Sequence, residues 1–325
     1  MKALVYHQFG DPATVLKVED VPIPTIGPNE ILIQTERAVV HNHNYMTVLG
    51  QYGYKPALPH VDGTEGVGII TKVGENVKHL DVGERVAIAR SNSGTWAQYF
   101  TADAASAIPI PDSIDINTAA QIASMPLSAY LLLDFIGVKK GDWFVFNGAN
   151  GVVGKVMAHA AKEQGINMLK LVRRESAKKE LEDMGFDSIV VYGSKDWKEQ
   201  VKAITKGDPI KVAIDNVGGK EAADLLRLTY HQGKLVLFGR LSGDDIPLNT
   251  GDLLFTERSI VGFWVTPYIK TVAPEVIMKH IAACVNAFAQ HDIKLQAGGV
   301  YPLEESSAAM KAQTQPKNGK ILFKL

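Results

Sequence analysis

Cysteine is nearly absent from this sequence. Cys284 is the single one in 325 residues. No internal disulfide can form, and no four-cysteine zinc site can be assembled. A reducing, cytoplasmic setting is therefore expected. A charge excess is missing too, since 34 Lys and Arg face 35 Asp and Glu for a net charge of -1. Without a basic surplus there is no global charge for neutralising phosphates, so a nucleic-acid partner is not expected. No apolar run reaches the length of a membrane span. The start, "MKALVYHQFG", lacks the charged head, apolar stretch and small-residue cleavage site of a secretory signal. Neither a membrane nor a secreted role is expected. Internal repeats and low-complexity stretches are also lacking.

What is present divides into two characters. The first hundred residues are rich in β-branched side chains and punctuated by Gly and Pro. "EILIQTERAVV" (Glu30 to Val40), "GVGIITKVG" (Gly66 to Gly74) and "ERVAIAR" (Glu84 to Arg90) read as strands. Short strands with turns between them suggest a barrel-like β domain. The pattern changes near Pro109 to Asn117. Apolar runs then alternate with amphipathic stretches: "DWFVFN", "NMLKLV", "SIVVYG", "IKVAIDNVGG", "KLVLFGR" and "RSIVGFWV". Six strands interleaved with helices imply a doubly wound, parallel α/β sheet of the dinucleotide-binding kind. A helix from Pro274, a shorter one near Glu304 to Gln313 and the strand "KILFKL" are too few for a third domain. They are expected to return and complete the first.

"NGANGVVG" (Asn147 to Gly154) lies where a strand gives way to a helix. There Gly151 would let the backbone approach a pyrophosphate, and Gly154 would let the helix pack close. The helix N-terminus would present free N–H groups to the phosphates. The fit to G-x-G-x-x-G is imperfect, because Ala149 takes the first glycine's place and Gly148 stands beside it. The next strand ends in Arg173-Arg174, with Glu175 only after them. Guanidiniums suit a 2′-phosphate, whereas an acidic residue would suit a free ribose, so NADPH is expected over NADH. The bland alternative is a solvated basic pair at a helix start.

The order of β domain, dinucleotide domain and returning tail resembles the medium-chain dehydrogenase/reductase superfamily over essentially the whole chain. Within it the sequence is most similar to the zinc-free branch of quinone oxidoreductases and 2-enoyl thioester reductases. "GQYGYKPALP" (Gly50 to Pro59) resembles the enoyl reductases' catalytic tyrosine segment, with Tyr52 at the tyrosine. "SGTWAQYF", "MPLSAYLLLDF" and "GFWVTPY" resemble other segments of that group, although Met125 stands where those enzymes carry a cofactor-contacting asparagine. The resemblance implies a GroES-like β-barrel-type catalytic domain, residues 1–118 and 267–325, and a six-stranded Rossmann NADP-binding domain, residues 119–266. It implies cofactor contacts at Asn150, Gly151, Val152 and Val153 on the pyrophosphate, and at Arg173 and Arg174 on the 2′-phosphate. Phe238, Gly239, Arg240, Leu241, Phe263, Trp264, Val265 and Thr266 would border the nicotinamide, and Lys320 would reach back towards it. A homodimer through the edge strand "RSIVGFWV" is also implied.

"VVHNHNYM" (Val39 to Met46) invites a metal reading. His41 stands where the zinc-dependent members carry their first cysteine ligand. However, Thr64 replaces the second ligand and Ser124 falls near the third, so no metal is expected. His41 and His43 alternate along what reads as an extended segment, on opposite faces. A small-molecule substrate already activated by conjugation needs no Lewis acid. The expected reaction is hydride transfer to the β-carbon of an α,β-unsaturated carbonyl, such as an enoyl thioester. Tyr52 is the candidate proton donor, with Tyr45 and Tyr54 competing for the role. The alternatives are an NADPH:quinone oxidoreductase and, from a different class, a non-catalytic NADPH-binding sensor or structural protein.

Overall fold

The computed structural model describes every residue except 291, 292, 294 and 316. Its contacts fall into two compact units, Met1–Met125 with Ile281–Leu325, and Pro126–His280.

The first unit is organised around the eleven-residue strand Glu30–Val40. Its inward residues Ile31, Ile33, Ala38 and Val40 are fully buried. It pairs antiparallel with Gly66–Val73 on one side, and with Tyr99–Asp103 and Lys320–Lys324 on the other. The returning tail is thus part of this unit: Ala297–Pro302 lies parallel to Lys320–Lys324, which joins the central strand. Phe323 packs edge-on against Trp96 at 5.5 Å, and Trp96 Nε1 donates to the Val39 carbonyl at 3.0 Å. An indole buried this deeply needs such an acceptor.

Between the central strand and the next lies one departure from the sequence reading. Residues Asn42–Val48 form a short α-helix rather than an extended segment. Asn44 Oδ1 accepts from the His41 N–H at 3.2 Å, and Thr47 Oγ1 donates to the His43 carbonyl at 2.7 Å. These local side-chain bonds give the backbone an alternative to the ladder that alternation alone suggests. Gly50, at φ +74°, ends the helix in the left-handed conformation that glycine adopts without strain.

The second unit is a six-stranded, all-parallel sheet. Its spatial order is Ile189–Val191, Asn167–Val172, Trp143–Asn147, Ile210–Asp215, Thr229–Leu237, Ser259–Gly262. In chain order this is 3-2-1-4-5-6, the doubly wound arrangement. Val145, Leu169, Leu171, Ala213 and Leu235 are buried between the sheet and its helices. Trp143–Asn147 and Ile210–Asp215 are neighbours whose connections run to opposite sides. Their carboxyl ends form the switch point where ligands of such sheets bind.

Candidate functional site

At that switch point the chain turns through Gly148, Ala149, Asn150 and Gly151 into the helix Val152–Glu163. Gly148 has φ +62°. A side chain on Gly154 would put its Cβ 2.3 Å from the Ala149 carbonyl oxygen, so the helix meets the turn backbone there. A Cβ on Gly151 would meet only the Gly148 carbonyl, at 3.3 Å, which leaves its other side open. The Ala149 and Gly151 N–H groups are bonded to the Leu171 and Gly148 carbonyls, so the donors suited to an anion are those at the start of the helix Val152–Glu163.

A buried network fixes this end of the sheet. Asn147 Nδ2 donates to Asp215 Oδ1 at 2.6 Å, and Asn147 Oδ1 accepts from the Asn216 N–H at 2.7 Å. Asp215 also accepts from the Val217 and Gly218 N–H groups. Burial pushes the Asp215 carboxyl above its ordinary range, while these donors pull it back. Beside the network is a pocket of ≈ 310 Å³ lined by Tyr192, Trp197, Gly218, Lys220, Glu221 and Ser242, among others. Tyr192 and Lys220 both bond Asp224 Oδ2 at 2.8 Å.

The carboxyl ends of the sheet gather most of the expected cofactor residues. Asn150, Gly151, Val152 and Val153 lie in the turn and the helix start. Arg173 and Arg174 follow the strand Asn167–Val172, and both are exposed. Phe238 and Gly239 bond back to the Asp215 carbonyl, and Leu241 to that of Asn216. Arg240 Nη2 donates to the Gly243 carbonyl at 2.9 Å. Phe263 is buried against Phe135 and Phe238, while Trp264 is half exposed and leads into the short helix Val265–Tyr268, which holds Thr266. Lys320 and Tyr52 belong to the other unit.

In that unit Glu65, His41 and Lys320 come to one level of the sheet. Val39 bonds the Glu65 carbonyl, and the Val40–Ile321 pair carries Lys320 alongside His41. His41 Nε2 lies 2.5 Å from Glu65 Oε2, with both residues buried. The other carboxyl oxygen accepts from the Ala123 and Ser124 N–H groups at 2.9 and 2.6 Å. Burial pushes the Glu65 carboxyl up to about 8, opposed by those N–H groups and Lys320. Burial, with Lys320 nearby, holds His41 well below its ordinary range. Burial also lowers Lys320 to about 8, against the pull of Glu65. A proton lies between His41 and Glu65, and burial pushes each of the two towards its uncharged form.

The imidazoles of His41 and His43 stack at 4.9 Å and 15°. This corrects the expectation of opposite faces. His41 is still extended while His43 has entered the first helical turn, so the two rings come together. His43 Nε2 pairs with Thr64 Oγ1 at 2.9 Å. It is kept neutral by burial, His41 and Lys320. The half-buried Tyr52 leans on the His43 ring at 5.8 Å. Tyr45 instead packs against the core of the unit, with Asp11 as its charged neighbour, and Tyr54 is 59% exposed.

Sequence reasoning missed Asn147, Asp215, Tyr192 and Lys220. The one available signal was the glycine pair in "DNVGG" after a strand, which the structure places in the pocket.

Residues 27–112 match the family described as "Alcohol dehydrogenase GroES-like domain", and residues 152–281 match "Zinc-binding dehydrogenase". The mitochondrial enoyl-[acyl-carrier-protein] reductase of Caenorhabditis elegans is 33% identical over 272 residues, which cover 82% of this chain and 77% of that protein. The chain belongs to the medium-chain dehydrogenase/reductase superfamily. The corresponding enzyme of Rattus norvegicus is 28% identical over 97% of this chain and 86% of its own. Escherichia coli quinone oxidoreductase, solved in complex with NADPH, superposes with a TM-score of 0.88 at 26% identity, over 100% of both chains. The second family's name implies zinc, but the donor set of this superfamily member does not fit it. Glu65 is committed to His41 and two backbone N–H groups, and Thr64 to His43. Among the described residues no three His, Cys, Asp or Glu side chains are grouped to hold a metal ion.

Proposed function

We propose that this protein is an NADPH-dependent reductase of activated alkenes. It directs hydride to the β-carbon of an α,β-unsaturated carbonyl, an enoyl thioester, and Tyr52 gives the proton to the α-carbon. The observation that carries the reading is the contact between Tyr52 and His43 beside the buried His41–Glu65 pair. A phenol O–H can donate a proton to a carbanion formed beside it. Neither Tyr45, turned to the core, nor the exposed Tyr54 shares this setting. The enoyl-[acyl-carrier-protein] reductase relatives support the substrate class.

Reduced nicotinamide, when bound, supplies the hydride. The residues present fit such a cofactor. The Gly148–Gly151 turn, with Asn150, would approach the pyrophosphate, and the N–H groups of Val152 and Val153 at the helix start would hold it. The exposed Arg173 and Arg174 would take the 2′-phosphate. Phe238 to Leu241 and Phe263 to Thr266 would flank the nicotinamide side, and Lys320 is the candidate from the tail. A homodimer through the outer strand Ser259–Gly262, in a cytoplasmic setting, belongs to the same reading. That strand is the last in the sheet order, and the one cysteine is buried.

The second reading is an NADPH:quinone oxidoreductase, supported by the likeness to the Escherichia coli enzyme. The two separate in steady-state rates on an enoyl thioester and a small quinone. Tyr52→Phe is expected to lower thioester turnover about 100-fold and to leave quinone turnover within about threefold. Thioester reduction within a few-fold of wild type would remove Tyr52 as the acid. Cofactor binding with no turnover of any alkene or quinone would favour a sensor role.

A further inference from the structure

We propose that Glu65, His41 and His43 form a positioning array that sets the orientation of the Tyr52 ring. The proposal rests on Tyr52 being the proton donor. The array begins in the backbone, where the Ala123 and Ser124 N–H groups fix one oxygen of Glu65. The other oxygen fixes His41 Nε2 at 2.5 Å. On that immobilised ring His43 stacks at 4.9 Å, and Thr64 Oγ1 sets its rotation. Tyr52 meets the far end at 5.8 Å and 35°.

Three other uses of the cluster fail on the same geometry. A metal would need donors that are already committed to one another. A proton wire through the rings is blocked because ring nitrogens bond in the ring plane, whereas these rings present faces. Plain core filling does not account for the chemistry. His41 Nδ1 is buried with no hydrogen-bond partner among the described residues, a cost that an apolar side chain of that size would avoid. What passes along the stack is ring orientation, and a general acid is sensitive to it, because proton transfer requires the donor on line.

The test uses the full-length enzyme, saturating NADPH and crotonyl-coenzyme A. His43→Ala is expected to lower kcat about tenfold with KM within about twofold, and to raise the solvent deuterium isotope effect on kcat. His43→Phe keeps a flat ring but loses the bond to Thr64 and should restore kcat to within about threefold of wild type, and Thr64→Val, which loses the same bond, should lower kcat by a similar, roughly two- to threefold, factor. The array is refuted if kcat of His43→Ala stays near wild type, if the loss appears in KM alone, or if the phenylalanine variant is as poor as the alanine one. Should the alanine variant not fold, His43→Phe and Thr64→Val still decide. A Thr64→Val enzyme with unchanged kcat and isotope effect would count against the array. Tyr52→Phe run alongside separates the two claims. If it is silent on the thioester, the donor assignment falls. If it is impaired while the His43 variants are normal, only the array falls.

Discussion

The Gly148–Gly154 turn is built from main chain at close quarters, whereas the surroundings of Tyr52 are built from side chains, several of them buried and ionisable. The turn works by leaving atoms out: no side chain stands at 148, 151 or 154, so main chain and helix approach closely. The tyrosine region works by pairing. Glu65 and His41 can be buried only because each satisfies the other, and the backbone satisfies the remaining oxygen. The first arrangement tolerates little added volume, and the second tolerates little lost pairing.

The largest effect expected from this contrast is at Gly154. Valine there places atoms 2.3 Å from the Ala149 carbonyl oxygen and 2.6 Å from its Cα, both of them backbone that cannot swing away. Gly154→Val should destabilise by about 3 kcal/mol or more and weaken NADPH binding. Urea unfolding and cofactor titration measure this, and a wild-type midpoint would refute the close approach. The next effect is at the exposed arginines. Arg173→Ala with Arg174→Ala should weaken NADPH by about 10- to 100-fold and NADH by no more than about threefold. Equal weakening would remove the 2′-phosphate assignment.

A third test addresses the pairing side through pH. Glu65 titrates near 4.5 when unfolded and at about 8 in the fold. The folded protein therefore keeps a proton that the unfolded chain has released. Its stabilisation is complete below pH 4.5 and is lost as pH rises through about 8. His41 has the opposite sign. Held below its ordinary 6.5, it contributes above that value, and the contribution is lost as pH falls. Glu65→Gln cannot ionise and should flatten the decline in stability across the higher window. An unchanged slope there would show that Glu65 is already ionised in the fold.

The contrast also explains what could be read in advance. The strands Glu30–Val40 and Asn167–Val172 match their apolar runs to the residue, and the glycine turn stands where its spacing placed it. Glycine is informative because few other causes put it at a strand-to-helix junction. The tyrosine region was only half legible. Tyr52 was marked by resemblance, but Glu65 lies 24 residues from His41 and was not singled out. Alternation misled at Asn42–Val48, where a helix only seven residues long, held by Asn44 and Thr47, carries too few apolar positions to show a 3.6-residue period. Asn147 and Asp215 were not singled out, for a related reason. Each lies in a strand that reads as apolar, and only the sheet order makes them neighbours.

The central strand of the first unit takes Lys320–Lys324 as a neighbour, and Ile321 and Phe323 are buried in that unit's core. A ribosome therefore releases all of Pro126–His280 before the first unit can close its sheet. During synthesis the parallel-sheet unit can mature while the unit bearing Tyr52 waits for the strand Lys320–Lys324. For that interval the nascent chain carries a central strand with an open edge, exposed to chaperones and to strand exchange.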